Sequence, residues 1–129
     1  METVAWMHEP EEHDYPAAES YLSLLARADL VTNLVGRLRV AQIQTYKAKD
    51  LLRAAGLSLL PPDNPHVAAD LAKIKKGKEL SPVLIVRGDL ASGMPLHIAD
   101  GYHRVCASYH VSENTDIPAR IVDLREPAR

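Results

Sequence analysis

The strongest constraint in this chain is Val83-Leu84-Ile85-Val86, four consecutive apolar residues opened by Ser81-Pro82. A run this short and this rich in β-branched residues reads as a central strand, the kind that is covered on both faces. Around it the punctuation is regular. Asn64 is placed to cap a helix with Pro65 at its first position; Val67, Leu71 and Ile74 fall on one face, and Gly77 is the stop. After the strand, Gly88, Gly93 and Pro95 mark a long hairpin loop leading into a second strand at Leu96–Ala99. Asp100-Gly101 then turns the chain into a helix from Tyr102 to about Val111, and Ile117–Val122 closes as a strand. The order helix, strand, strand, helix, strand predicts an α/β (α+β) domain in which a small mixed sheet carries helices.

The first half is read from weaker signals. Residues 1–16 lack periodicity and contain Pro10 and Pro16, so they are expected to form an arm, mobile or lying across the surface, with Trp6 as its anchor. From 17 to 60 a helical extension is expected to cover one face of the domain or to make a homodimer. Within it, Tyr21, Leu24, Leu25, Ala28 and Val31 have helical spacing over Ala17–Val35, with Gly36 as the stop. Arg37–Gln44 fits a short strand or a helical turn. Thr45 is placed to cap a helix that ends at Gly56, before Leu-Leu-Pro-Pro.

The 129 residues suffice for one domain, 17–129 after the arm, with no internal repeat. No apolar run approaches the roughly 18 residues that a membrane span needs, so no membrane partner is expected. Single Cys106 cannot form an internal disulfide, which points to the cytoplasm. The net charge of −2 hides a gradient: residues 1–20 hold six acidic groups and no Lys or Arg, while 36–78 hold nine basic residues against three acidic ones. That excess suits an anionic ligand, or simply a solvated lysine-rich helix face at Lys75, Lys76 and Lys78.

Chemistry concentrates at Leu96-His97-Ile98-Ala99-Asp100-Gly101-Tyr102-His103-Arg104, a strand running through a glycine turn into a helix. A helix start leaves backbone N–H groups unpaired and favours an anion. Gly101 permits close approach, His103 and Arg104 can contact phosphate oxygens, and Asp100 can hold Mg²⁺ or accept a proton. The plain alternative is a common Asp-Gly turn in which Asp100 caps the helix and Arg104 pairs with Asp100 or Asp123.

Together HVAADLAKIKKGKELSPVLIV, LHIADGYHRVCASY and DIPARIV, spanning Pro65 to Val122, resemble the ParB/sulfiredoxin superfamily. The resemblance implies a nucleotide site. Gly101 and Arg104 match the ParB Gly-Glu-Arg-Arg segment that binds CTP phosphates, whereas its Glu and first Arg have no counterpart here. His103 and Arg104 match the Gly-Cys-His-Arg of sulfiredoxins, which binds ATP phosphates. Tyr102 stands where those enzymes have their reactive Cys, so sulfinic-acid repair is not expected. Asp100-Gly101-Tyr102-His103-Arg104 is most similar to the Asp-Gly-His-His-Arg of free serine kinases, whose Asp works with a metal-bound nucleotide. By the same match, the preceding helix offers His66, Ala69 and Lys73, leaving two cations without the hydroxyls of relatives.

The resulting expectation is a binder of ATP or another nucleotide, with Mg²⁺, that serves as a phosphotransferase or nucleotide hydrolase. Asp100 and His103 are its candidate catalytic residues and Asp100 its metal ligand. Gly101, Tyr102, His103, Arg104, His66 and Lys73 are the candidate nucleotide contacts. The alternatives are a ParB-like nuclease or DNA-binding protein, using the same turn or Arg37, Arg39, Lys47, Lys49 and Arg53, and a non-enzymatic partner-binding module. Against DNA, the chain ends seven residues past Val122, with no room for the helix-turn-helix domain of partition proteins. A zinc site on the shared face of His103, Cys106 and His110 lacks any Cys-x-x-Cys support. Neither a P-loop nor a Gly-x-Ser-x-Gly motif is present.

Overall fold

The computed structural model describes residues 3–125. Along the chain lie β1 (Ala5–Trp6), α1 (Asp14–Leu22), α2 (Ala28–Val40), β2 (Ile43–Lys47), α3 (Ala48–Ala55) and α4 (Pro65–Lys75). They are followed by β3 (Glu79–Leu80), β4 (Val83–Val86), β5 (His97–Asp100), α5 (Tyr102–Val111) and β6 (Asp116–Val122). The main sheet has the order β2-β6-β4-β5 and is mixed: β4 runs parallel to β6, while β2/β6 and β4/β5 are antiparallel. The class is α+β.

Every residue of β4 is apolar because each face of the sheet is covered. Val83 and Ile85 pack with α3, α4 and α5 through Leu51, Val67, Ile74, Val105 and Cys106. Leu84 and Val86 point the other way, into a layer built by Ala18 and Leu22 of α1 and by Val31, Leu34, Val35 and Leu38 of α2. A strand with period-2 side chains can serve two cores only if both sets are apolar. The second half follows the sequence punctuation closely. Asn64 accepts hydrogen bonds from the N–H groups of His66 (3.0 Å) and Val67 (3.2 Å), and Pro65 opens α4 as expected.

The first half departs from expectation. The helix anticipated over Ala17–Val35 is two helices broken between Leu22 and Ala28, with Leu24 and Leu25 exposed in the break. There the Ser23 hydroxyl bonds the carbonyl of Ser20, closing the turn locally. Gly36 stops nothing and lies inside α2. A helical glycine costs about 1 kcal/mol, but burying Leu38 alone returns about 1.5–3 kcal/mol, so packing carries the helix through. The strand thus begins later than expected, at Ile43, and Thr45 sits in β2 opposite Pro118 instead of capping α3. The pairing partner β6 lies far along the chain, which is why local pattern could not place it.

The N-terminal segment lies across the surface and is tied there. Ala5 and Trp6 form a two-residue parallel ladder with Glu79 and Leu80, and Trp6 packs against the α3–α5 side of the core. Acidic groups then meet basic ones: Glu9 faces Arg120 at 3.7 Å, Glu12 bonds Arg39 at 2.5 Å, and Asp14 reaches Arg104 at 3.6 Å. No helix among the described residues is long and apolar enough to cross a membrane.

Candidate functional site

Strand β5 ends at Asp100, just past a ladder irregularity: Ile98 faces Ile85, but Asp100 faces Leu84, so one extra residue is accommodated on β5. Gly101 follows with φ +113°, a conformation that side chains rarely adopt. A Cβ there would overlap the Val83 side chain and come within 2.9 Å of Arg104 Nη2. The glycine therefore lets the turn lie flat on β4. Helix α5 starts immediately after it with no side-chain cap, leaving its first N–H groups open to a ligand or water.

The first turn of α5 faces α4. His66, Ala69, Asp70 and Lys73 of α4, Asp100 and Gly101 of the turn, and His103 and Arg104 of α5 line one open cleft of about 260 Å³. The imidazoles of His66 and His103 lie against each other, ring centres 4.7 Å apart. Burial and the facing His66 hold His103 below its ordinary pKa of 6.5; Arg104 adds to this and Asp70 opposes it. Arg104 is 17% exposed and donates through Nη2 to Asp100 Oδ2 at 3.0 Å, with Asp14 Oδ2 at 3.6 Å from the same nitrogen. Its Nε is buried and has no hydrogen-bond partner.

The carboxylates respond to this setting. Burial raises Asp100 above its ordinary pKa; Arg104 opposes the shift and Asp14 adds to it. Burial likewise raises Asp70, against the pull of Arg104, Lys73 and the two histidines. Asp70 and Asp100 in the cleft, with Asp14 behind Arg104, thus stand against the charges of Lys73 and Arg104.

Six of the residues singled out from sequence, His66, Lys73, Asp100, Gly101, His103 and Arg104, converge on the cleft. Tyr102 does not join them. Its hydroxyl donates to the Ser58 carbonyl at 2.5 Å, tying α5 to the α3–α4 connection. Two acidic residues were not foreseen. Asp70 shares the α4 face of His66 and Lys73, a helical spacing that was open to reading. Asp14 arrives from the N-terminal arm, with no local signal to mark it.

Other candidates disperse. Cys106 is fully buried, His110 Nε2 meets the Leu60 carbonyl at 2.7 Å, and no three His, Cys, Asp or Glu side chains form a metal-ligand group among the described residues. Four of the basic residues considered for DNA are engaged within the protein. Arg37 donates to the Asp123 and Leu124 carbonyls, Arg39 pairs with Glu12, Lys47 with Asp116 and Arg53 with Asp50. Larger hollows of about 360 Å³ beside Arg87, Asp89 and Asp123, and about 610 Å³ beside Leu25 and Leu30, lie away from the α5 N-terminus and are lined by no histidine. A scan against protein-family models, a search of curated proteins and a search of solved structures each found no match.

Proposed function

We propose that the α4–α5 cleft binds the phosphates of a nucleotide, ATP or another, in the manner of ParB/sulfiredoxin-type sites. What supports this reading is one juxtaposition: an uncapped helix N-terminus, opened by a glycine that no larger residue can replace without overlap, with Lys73, His66, His103 and Arg104 around it. At about 260 Å³ the cleft falls below the roughly 300–1,000 Å³ of sites that enclose a whole ligand. It suits a phosphate chain with the base outside, so discrimination among bases is expected to be weak.

Turnover, as phosphoryl transfer or hydrolysis, would draw on Asp100 and His103. A carboxylate whose pKa is raised by burial is a better proton acceptor near neutrality, and His103 can donate to a phosphate oxygen when charged. Mg²⁺ fits this chemistry only in part. With no three-ligand group among the described residues, the ion would arrive on the phosphates and take one oxygen from Asp100. The ion supplies charge neutralisation, which this cleft needs.

The test is thermal unfolding of the full chain with ATP, tripolyphosphate and adenosine, each with and without Mg²⁺. At 100 times the dissociation constant a ligand adds about 2.7 kcal/mol. Stabilisation by ATP and tripolyphosphate that is lost in Lys73→Ala/His103→Gln and kept in Lys76→Ala is the expected result. Stabilisation that survives the double substitution, or none from any anion, refutes the reading.

A further inference from the structure

Asp14 does not line the cleft but stands behind Arg104, which does, and phosphate binding alone does not explain it. It is 2% exposed at the first position of α1, where a carboxylate is favoured by the helix N-terminus. Its Oδ2 accepts a hydrogen bond from Ser81 Oγ, and Ser81 Oγ in turn accepts from the Glu11 N–H at 3.0 Å. So anchored, the same oxygen stands 3.6 Å from Arg104 Nη2, which is already hydrogen-bonded to Asp100. One guanidinium therefore serves two carboxylates, Asp14 buried and Asp100 half-buried. Arg104 lines the cleft and is 17% exposed, so part of its side chain stays open to a ligand although Nε is buried, but two carboxylates lie against its one charge. An arriving phosphate meets a shortage of charge, not of donors.

Resting on the phosphate-binding reading above, we infer that Asp14 is a built-in counter-anion: an N-terminal carboxylate that holds Arg104 in the empty cleft and competes with phosphate for it, thereby setting the site's affinity. It acts through Arg104 as a positioning residue. The arm is then part of the site, supplying the negative charge that a bound phosphate must overcome.

The experiment is calorimetric titration of the full chain with ATP, tripolyphosphate and adenosine. Asp14→Asn preserves the shape of the side chain and its reach to Ser81 while deleting the charge. Removing a unit charge roughly 6–8 Å from the phosphate, across the guanidinium, should tighten ATP and tripolyphosphate about tenfold and leave adenosine unchanged. Glu12→Gln deletes an acidic charge from the same segment at an exposed site, and should change affinity less than about twofold. Equal or weaker anion binding by Asp14→Asn overturns the inference, as does an equal gain in Glu12→Gln, which would mark a global charge effect.

Should Asp14→Asn not fold, the wild-type chain still decides. The carboxyl ¹³C resonance of Asp14 must shift on saturation with ATP together with the His103 ring signals; a His103 response with Asp14 unmoved overturns the inference. Failure of the underlying reading has a different signature, because ATP and tripolyphosphate would then bind neither wild type nor Asp14→Asn.

Discussion

Gly101 and Gly36 make opposite predictions for the same substitution. At Gly101, φ is +113°, and an alanine Cβ would overlap Val83 while lying 2.9 Å from Arg104 Nη2. Holding a non-glycine residue in such a backbone region costs about 1–3 kcal/mol, and forcing a methyl into a packed site about 1–3 kcal/mol more. Gly101→Ala should therefore destabilise by about 2–6 kcal/mol. Neither neighbour can yield freely, since Val83 is fully buried between the sheet and α5, and Arg104 is fixed by Asp100. At Gly36, inside α2, a Cβ meets nothing within 4 Å, so Gly36→Ala should stabilise by about 0.5–1 kcal/mol through helix propensity alone. Urea unfolding followed by circular dichroism measures both, with a constant slope m showing that the midpoint shift reports stability. A loss under about 1 kcal/mol for Gly101→Ala would refute the tight-turn argument.

Arg104→Ala leaves buried Asp14 and half-buried Asp100 without their cation and should cost about 3 kcal/mol, the lower end of the range for a broken buried pair, in the same urea assay. Asn64→Ala removes the bonds to the His66 and Val67 N–H groups and should cost about 1 kcal/mol, read as an earlier midpoint. The pH dependence follows from His103, whose pKa burial and the facing His66 hold below its ordinary 6.5. Its contribution to stability is present above the unfolded value and is lost as pH falls through the folded one. A bound phosphate draws that pKa up, so binding takes up protons, and affinity should rise as pH falls from about 8 towards the free-protein value. Titration calorimetry in buffers of differing ionisation enthalpy checks this; proton release on binding would contradict it.

Legibility in the sequence tracks the range of the interactions. Asn64-Pro65 and Asp100-Gly101 act within one turn of chain, and the elements they bound stand where local chemistry puts them. Thr45 and Gly36 carry equally clear local signals that packing overrides: Thr45 is drawn into β2 by a strand contributed from β6, and Gly36 into α2 by Leu34, Val35 and Leu38. The cleft divides the same way. His66 and Lys73 share a helical face, so their meeting with the α5 turn needed only that α4 and α5 pack together. Asp14 has no such route. An acidic residue in an acidic arm looks like solvated surface until Ser81 and Arg104 are seen to enclose it.

That distinction bears on how the charge gradient along the chain should be read. Counted by segment, residues 36–78 look like an anion-binding surface and the N-terminal twenty like its solvated opposite. In the folded chain the N-terminal acids meet cations from several places: Glu12 pairs with Arg39 of that basic segment, whereas Glu9 and Asp14 face Arg120 and Arg104 outside it. Net local charge thus says little about anion affinity here. What distinguishes the cleft from the neutralised surface is burial: Asp14 is buried and Asp100 half-buried beside Arg104, where each unit of charge weighs more than on the exposed Glu12–Arg39 pair. If the cleft takes phosphate as proposed, the phosphate entering that space competes with carboxylates at close range. On the proposed reading its affinity would depend on how readily those carboxylates give up Arg104, and Asp100, raised by burial, is better disposed than an ordinary carboxylate to take a proton.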